Sequence, residues 1–311
     1  MQKKIPLFDG HCDTLSRLNY VPQEHIAGNS GHWDLDKLGR FGPQAQVMSL
    51  FWDSAKPFTK HMVKQELRTF KREVSIYRDR VAFCTNMEGA KAAWKENKVA
   101  LFLSIEGAEL WGCTLDDLEK AYAAGVRIIN LTWNHANALS GSNVEEPERG
   151  LSEAGRAYVQ RMQKLHMLVD VSHLSDQGFW DVMEITKMPV IASHSNSRAV
   201  QNHPRNLTDE MFTAIMKWHG VAGLNVYTDF LGQGRVTEDD LLRHLEHFLA
   251  LGGSRAVALG GDWDGCRSLP EGYTGIWSWA NLYERLLREN YSEELVNDLF
   301  FHNFARVMNK L

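Results

Sequence analysis

Short apolar runs alternate with amphipathic stretches along almost the whole chain. Eight runs read as strands, at residues 5–9, 45–52, 100–106, 126–132, 168–173, 190–194, 220–227 and 256–262. Their near-continuous apolar character, as in VRIINLT and AVALGG, suits strands covered on both faces. Between them, apolar positions recur at helical spacing, for example Ala154, Tyr158, Met162 and Leu165. Thr114, Thr208 and Thr237 stand where N-caps belong, each leading acidic residues into the first turn, and Ser152 opens a further helix. Gly125 and the pair Gly252-Gly253 supply stop signals. Eight such alternations predict an α/β fold, a (β/α)8 barrel of the metal-dependent hydrolase type. Residues 53–95 read as a basic, mixed-charge helical insertion forming a surface layer. The chain has no internal repeat, low-complexity tract or Pro-rich linker, so residues 1–311 are expected to be one domain.

Bulk composition narrows the function. A chain of 311 residues fits one barrel of about 250 residues plus insertions. A net charge of -5 without a Lys/Arg stripe argues against nucleic acid as a partner. No stretch approaches the roughly 18 apolar residues of a membrane span, and the amino terminus lacks the apolar core of a signal peptide. Cys12, Cys84, Cys113 and Cys266 are too scattered for a C-x-x-C site. They are expected to be reduced thiols of a cytoplasmic protein.

A barrel gathers functional groups at the carboxyl ends of its strands. The first strand ends in His11 and Asp13, which share a side of an extended segment, with Cys12 pointing the other way. The third ends in Glu106, the fifth in His173, the sixth in His194, and the eighth in Asp262 with Asp264 just beyond. His135 lies just past the fourth. Each residue alone has a structural explanation; packing gives no reason for all of them to fall at strand ends. Imidazole and carboxylate donors without thiolate point to a catalytic, zinc-type centre. A pair of ions about 3.5–4 Å apart needs a bridging ligand. Glu106 is the best candidate, with His11 and Asp13 on one ion and His173 and His194 on the other.

The motifs DGHCDT, SIEGAE, GLSEAGRAYVQRMQKLHMLVDVSHLS, PVIASHSNSRAVQNHPRNLTDE and ALGGDWDG together resemble the membrane (renal) dipeptidase family of the amidohydrolase superfamily. The likeness runs from about residue 5 to the final helix. It implies a homodimeric, binuclear zinc dipeptidase, tolerant of a carboxyl-terminal D-residue. It implies His11, Asp13, Glu106, His173 and His194 as metal ligands. Arg205 would bind the substrate's terminal carboxylate, Asp262 would shuttle the proton, and Tyr227 would line the cleft. The family commonly has LTH where this chain has LTW, placing Trp133 at the position of a histidine that polarises the scissile carbonyl. His135 either fills that role through a shifted loop or is a solvent-facing loop residue. His166 and His203 are expected to be structural, with His203 shaping the loop that presents Arg205. His244 and His247 are expected at the surface. The competing readings are lactone, amide or phosphoester hydrolysis at the same metals, or a catalytically silent barrel.

Overall fold

The computed structural model describes residues 3–57 and 59–311. Nine parallel strands form its sheet: β1 (Ile5–Cys12), β2 (Phe41–Leu50), β3 (Val81–Phe83), β4 (Val99–Glu106), β5 (Val126–Asn130), β6 (Leu168–Asp170), β7 (Ile191–Ala192), β8 (Val221–Leu224) and β9 (Val257–Leu259). Eight of them close a barrel in the order β1-β2-β4-β5-β6-β7-β8-β9, with β9 returning to β1 through Asp9 opposite Leu259. The fold is the expected (β/α)8 barrel.

One apolar cluster takes a residue from every barrel strand: Phe8, Val47, Phe102, Ile128, Leu168, Ile191, Val221 and Ala258. Phe301, Phe304, Val307 and Met308 from the chain's last helical run join it, as do Met87, Ala90 and Ala93. Phe304 stacks on Phe8 with ring centroids 4.8 Å apart. A Cβ on Gly10 would sit 2.4 Å from the Phe304 ring, so glycine there makes room for the stack. The larger cluster lies between strands and surrounding helices.

Caps form as their residue types predict. Thr114 Oγ1 accepts from the Asp117 amide at 3.1 Å, Ser152 Oγ from Gly155 at 3.0 Å and Thr208 Oγ1 from Met211 at 3.2 Å. The Thr237 amide donates to Asp240 Oδ2 at 2.7 Å. Gly252 takes the left-handed conformation, φ 89°, that ends its helix.

Two features depart from expectation. Segment 53–95 holds the helices Thr59–Ile76 and Met87–Lys95, but β3 lies between them and pairs with the start of β4. The second helix buries Met87, Ala90 and Ala93 against the barrel floor and leaves Glu88, Lys91 and Lys95 exposed. The later strands are also shorter than their apolar runs, because their last residues leave the ladder and turn into the mouth. No helix among the described residues is long and apolar enough to cross a membrane.

Candidate metal centre

The ends of β1 and β9 are tied together by backbone. The Asp13 amide donates to the Trp263 carbonyl at 2.8 Å, and the Asp262 amide donates to the His11 carbonyl at 3.2 Å. These bonds bring His11, Asp13 and Asp262 together, each offering a donor atom within 4.8 Å of the others. His11, Glu106 and His194 form a second such group. Glu106, the last residue of β4, faces both ways. Its Oε2 lies 3.5 Å from His11 Nε2, and its Oε1 lies 3.0 Å from His173 Nε2 and 3.4 Å from His194 Nε2. The two histidine Nε2 atoms are 3.0 Å apart. The fold thus gathers all five expected donors, and it adds Asp262, whose Oδ1 is 4.0 Å from His11 Nε2.

Backbone conformation contributes to this convergence. His173 and Asp262 have φ values of 70° and 57°, in the left-handed region that side chains with a Cβ rarely adopt. Strained residues of this kind collect at functional sites, where the surrounding structure holds them. Glycine does related work behind β7. A Cβ on Gly260 or Gly223 would lie 1.7 or 2.0 Å from the Ser193 carbonyl, so both allow the close approach that delivers His194.

Several supporting residues were not singled out from sequence. Asn134 Oδ1 lies 3.0 Å from His173 Nδ1, and Ser193 Oγ lies 2.7 Å from His194 Nδ1. Occupying Nδ1 in this way orients each ring with Nε2 toward Glu106. Asn225, one residue past β8, donates from Nδ2 to Asp262 Oδ2 at 3.1 Å. Buried Asp9 accepts from the Trp263 and Trp279 indoles at 3.0 and 2.7 Å and from the His11 amide at 3.1 Å. Polar residues at strand ends were the available signal for Asp9, Ser193 and Asn225; Asn134, in the loop beyond its strand, carried none.

The electrostatics match a cation site. Burial, then repulsion from Glu106, pushes Asp13 up to about 8. Burial brings Asp262 up to about 6 and His173 down to about 4. Burial acts against ionisation of Glu106, but the neighbouring His11 and hydrogen bonds from the histidines win and hold it well below the ordinary carboxylate range. Both ring nitrogens of His11 and Oδ1 of Asp13 are buried without a hydrogen-bond partner among the described residues. Donors so concentrated and so poorly satisfied fit a divalent cation, which would offset the carboxylate repulsion.

The other expected residues surround this cluster. Arg205 is buried, its Nη2 donating to the His194 carbonyl at 3.2 Å and its Nη1 to Ser195 Oγ at 3.4 Å. No carboxylate among the described residues lies within 4.0 Å of its guanidinium, and burial lowers its pKa to about 10. The Arg205 amide donates to His203 Nδ1 at 3.1 Å, so His203 shapes that loop. Tyr227 is half-buried, 4.9 Å ring to ring from Phe230, over which Arg205 Cζ sits at 5.2 Å. His135 is outside the cluster. Its ring nitrogens face Asp53 at 3.2 Å and Glu145 at 3.4 Å, and Trp133 neighbours both it and His173. Cys12 Sγ lies against Met48, and Asp264 is occupied by Thr14 and the His32 amide.

His244 corrects the sequence reading. It is fully buried rather than superficial, with Nδ1 accepting from the Ser197 amide at 3.0 Å and Nε2 donating to the Leu231 carbonyl at 3.1 Å. His247 is half-buried and pairs with Asp209 at 2.7 Å.

A closed parallel barrel with imidazoles and carboxylates converging at its carboxyl rim defines a metal-dependent hydrolase. The profile of the membrane dipeptidase family (peptidase family M19) matches residues 1–311, and the chain belongs to that family of peptide-bond hydrolases. An uncharacterised dipeptidase of Schizosaccharomyces pombe is 31% identical over 303 residues, covering 91% of this chain and 73% of that protein. A metallopeptidase from Rhodobacter sphaeroides, solved with a phosphinate mimic of the dipeptide L-Ala-D-Ala, is 26% identical with a TM-score of 0.91 over 99% of both chains. A dipeptidase of the same family, also a metallopeptidase, is 27% identical with the same TM-score and coverage.

Proposed function

We propose that the protein hydrolyses free dipeptides at a pair of divalent ions, zinc by the chemistry of the donors. His11, Asp13, Glu106, His173 and His194 would hold the ions, with Glu106 shared. Divalent ions held there would supply Lewis acidity and would lower the pKa of water from about 15.7 to about 7. The observation that carries the substrate assignment is Arg205, a buried guanidinium beside the cluster with no carboxylate partner among the described residues. A bidentate guanidinium–carboxylate pair would fix the carboxyl end of a dipeptide and select against longer chains, whose carboxylate lies too far from the scissile bond.

Asp262 takes the proton of the attacking water and delivers it to the leaving amine. The Asn225 amide keeps its second oxygen oriented. Tyr227 lines the cleft on the Arg205 side. His135 keeps a place at the rim, from which a shift of its loop would carry it toward the carbonyl. The likeness to an enzyme solved with an L-Ala-D-Ala mimic supports including substrates with a carboxyl-terminal D-residue. Cys12, Cys84, Cys113 and Cys266 are all free thiols, which supports a reducing, cytoplasmic setting; a homodimer is proposed from family resemblance alone.

Metal analysis of the purified protein, with turnover of a dipeptide and of its carboxyl-terminal amide, tests this reading. About two divalent ions per chain and a far poorer amide are expected. Metal-free protein with no uptake, or equal turnover of both compounds, would overturn it.

A further inference from the structure

Opposite Arg205, the mouth is walled by aromatic rings that the chemistry above does not use. Phe51 and Trp52 follow β2, and Trp133 follows β5. The Phe51 and Trp133 ring centroids are 4.9 Å apart at 58°, and Trp52 stacks on Tyr20 at 5.1 Å and 19°. Trp133 reaches the metal-ligand candidates themselves, 6.2 Å from the His173 ring. All four wall residues keep exposed surface, and Tyr20 is 59% exposed. Large apolar groups left open beside a polar cluster are the lining of a ligand site rather than a core remnant.

Strand order sets the direction. β2 and β5 flank β4, which carries the central Glu106, whereas Arg205 comes from the loop after β7, on the other arc of the barrel. A dipeptide with its carboxylate on Arg205 and its peptide bond over the cluster therefore extends its amino-terminal residue toward the aromatic wall. The charge of the rim agrees. Asp53 and Glu145 flank His135 at 3.2 and 3.4 Å, and Glu109, just past β4, has a buried Oε1 with no partner among the described residues. Lys56 lies 3.9 Å from Asp53 and Asn137 holds the other oxygen of Glu109, which leaves carboxylate in excess on that arc to face an α-ammonium group, while Arg205 faces the carboxylate end.

We propose that Trp133, Phe51 and Trp52 form the pocket for the amino-terminal side chain, and that the preferred substrates are dipeptides with a large aromatic residue at that end. The inference rests on the dipeptidase reading, with Arg205 as the carboxylate anchor. Aromatic side chains offer both a large buried area and favourable edge-to-face geometry against such a wall.

The test is kcat/KM of the metal-loaded enzyme for Gly-Ala, Ala-Ala, Leu-Ala, Phe-Ala and Trp-Ala. The Phe-Ala to Gly-Ala ratio is expected to be tenfold to a hundredfold. Trp133→Leu and Phe51→Leu should each compress that ratio several-fold, whatever they do to turnover as a whole. Using two variants guards against one that fails to fold, and the ratio itself is insensitive to the active fraction. A flat wild-type series, or a ratio unchanged in both variants, overturns the pocket while leaving dipeptide hydrolysis standing. Failure to hydrolyse any member of the series removes both readings together.

Discussion

Arg205→Met separates function from stability in a way that the geometry makes quantitative. The guanidinium is buried, and burial lowers its pKa from 12.5 to about 10. At 1.36 kcal/mol per unit, keeping it charged costs the fold about 3 kcal/mol near neutral pH. Against this stand long hydrogen bonds to the His194 carbonyl and Ser195, at 3.2 and 3.4 Å, and the Phe230 ring 5.2 Å away. Together these contribute about 2 kcal/mol. A methionine of similar length would keep most of the packing and remove the uncompensated charge. The folded protein should gain about 1 kcal/mol, or roughly 2–4 °C in Tm by calorimetry. The same change should lower kcat/KM for a dipeptide by two to three orders of magnitude, since breaking a buried charge pair costs about 3–5 kcal/mol. A fall in Tm of several degrees, or a loss of kcat/KM below tenfold, would refute the argument.

Asp262→Asn should retain the metal content of the wild type while kcat falls by about 10² to 10⁴, measured by elemental analysis and steady-state kinetics; wild-type turnover would sink the proton-transfer role. His244 has its pKa lowered by burial from 6.5 to about 4, so the unfolded chain takes up a proton that the native state refuses as pH drops through that window. Stability should therefore be intact above pH 6.5 and fall by about 3 kcal/mol toward pH 4 on this account, and His244→Gln should flatten that limb in urea titrations of metal-free protein. An identical pH profile in the variant would show that other groups govern it. Gly260→Ala places a Cβ where 1.7 Å separates it from the Ser193 carbonyl, so it should cost more than about 3 kcal/mol or prevent soluble expression. A variant as stable as wild type would mean that β7 shifts freely.

Much of the site was legible because a buried parallel strand is almost wholly apolar, which makes a polar residue at its end conspicuous. That contrast exposed His11, Glu106, His194 and Asp262. It says little about which polar neighbours act in support: Asn134 looks like any loop residue, and Ser193 and Asn225 share the strand-end signal without showing which ring or carboxylate they hold. His244 misled for a related reason. Its partners are backbone groups of Ser197 and Leu231, and backbone partners leave no mark in a side-chain pattern. β3 was too short, three residues bounded by Arg80 and Cys84, to register as an apolar run. The later strands were drawn too long because apolar character continues where ladder pairing has stopped. His173 and Asp262 leave the extended conformation within these same stretches. The insertion was read as helical from its spacing, but which of its faces would be covered depended on a floor assembled from the distant chain terminus.

That floor bears on how the protein is made. Phe304 seats on Phe8, and β9 is what closes β1, so an early segment of the chain waits for a much later one. His11 and Asp13 consequently spend most of translation without Asp262, although Glu106, His173 and His194 have already emerged. An incompletely synthesised chain would present loose imidazoles and carboxylates able to catch the wrong ion. The proposed ion site thus depends on the late segment around Phe304, and loss of that segment would disturb it from the opposite end of the barrel.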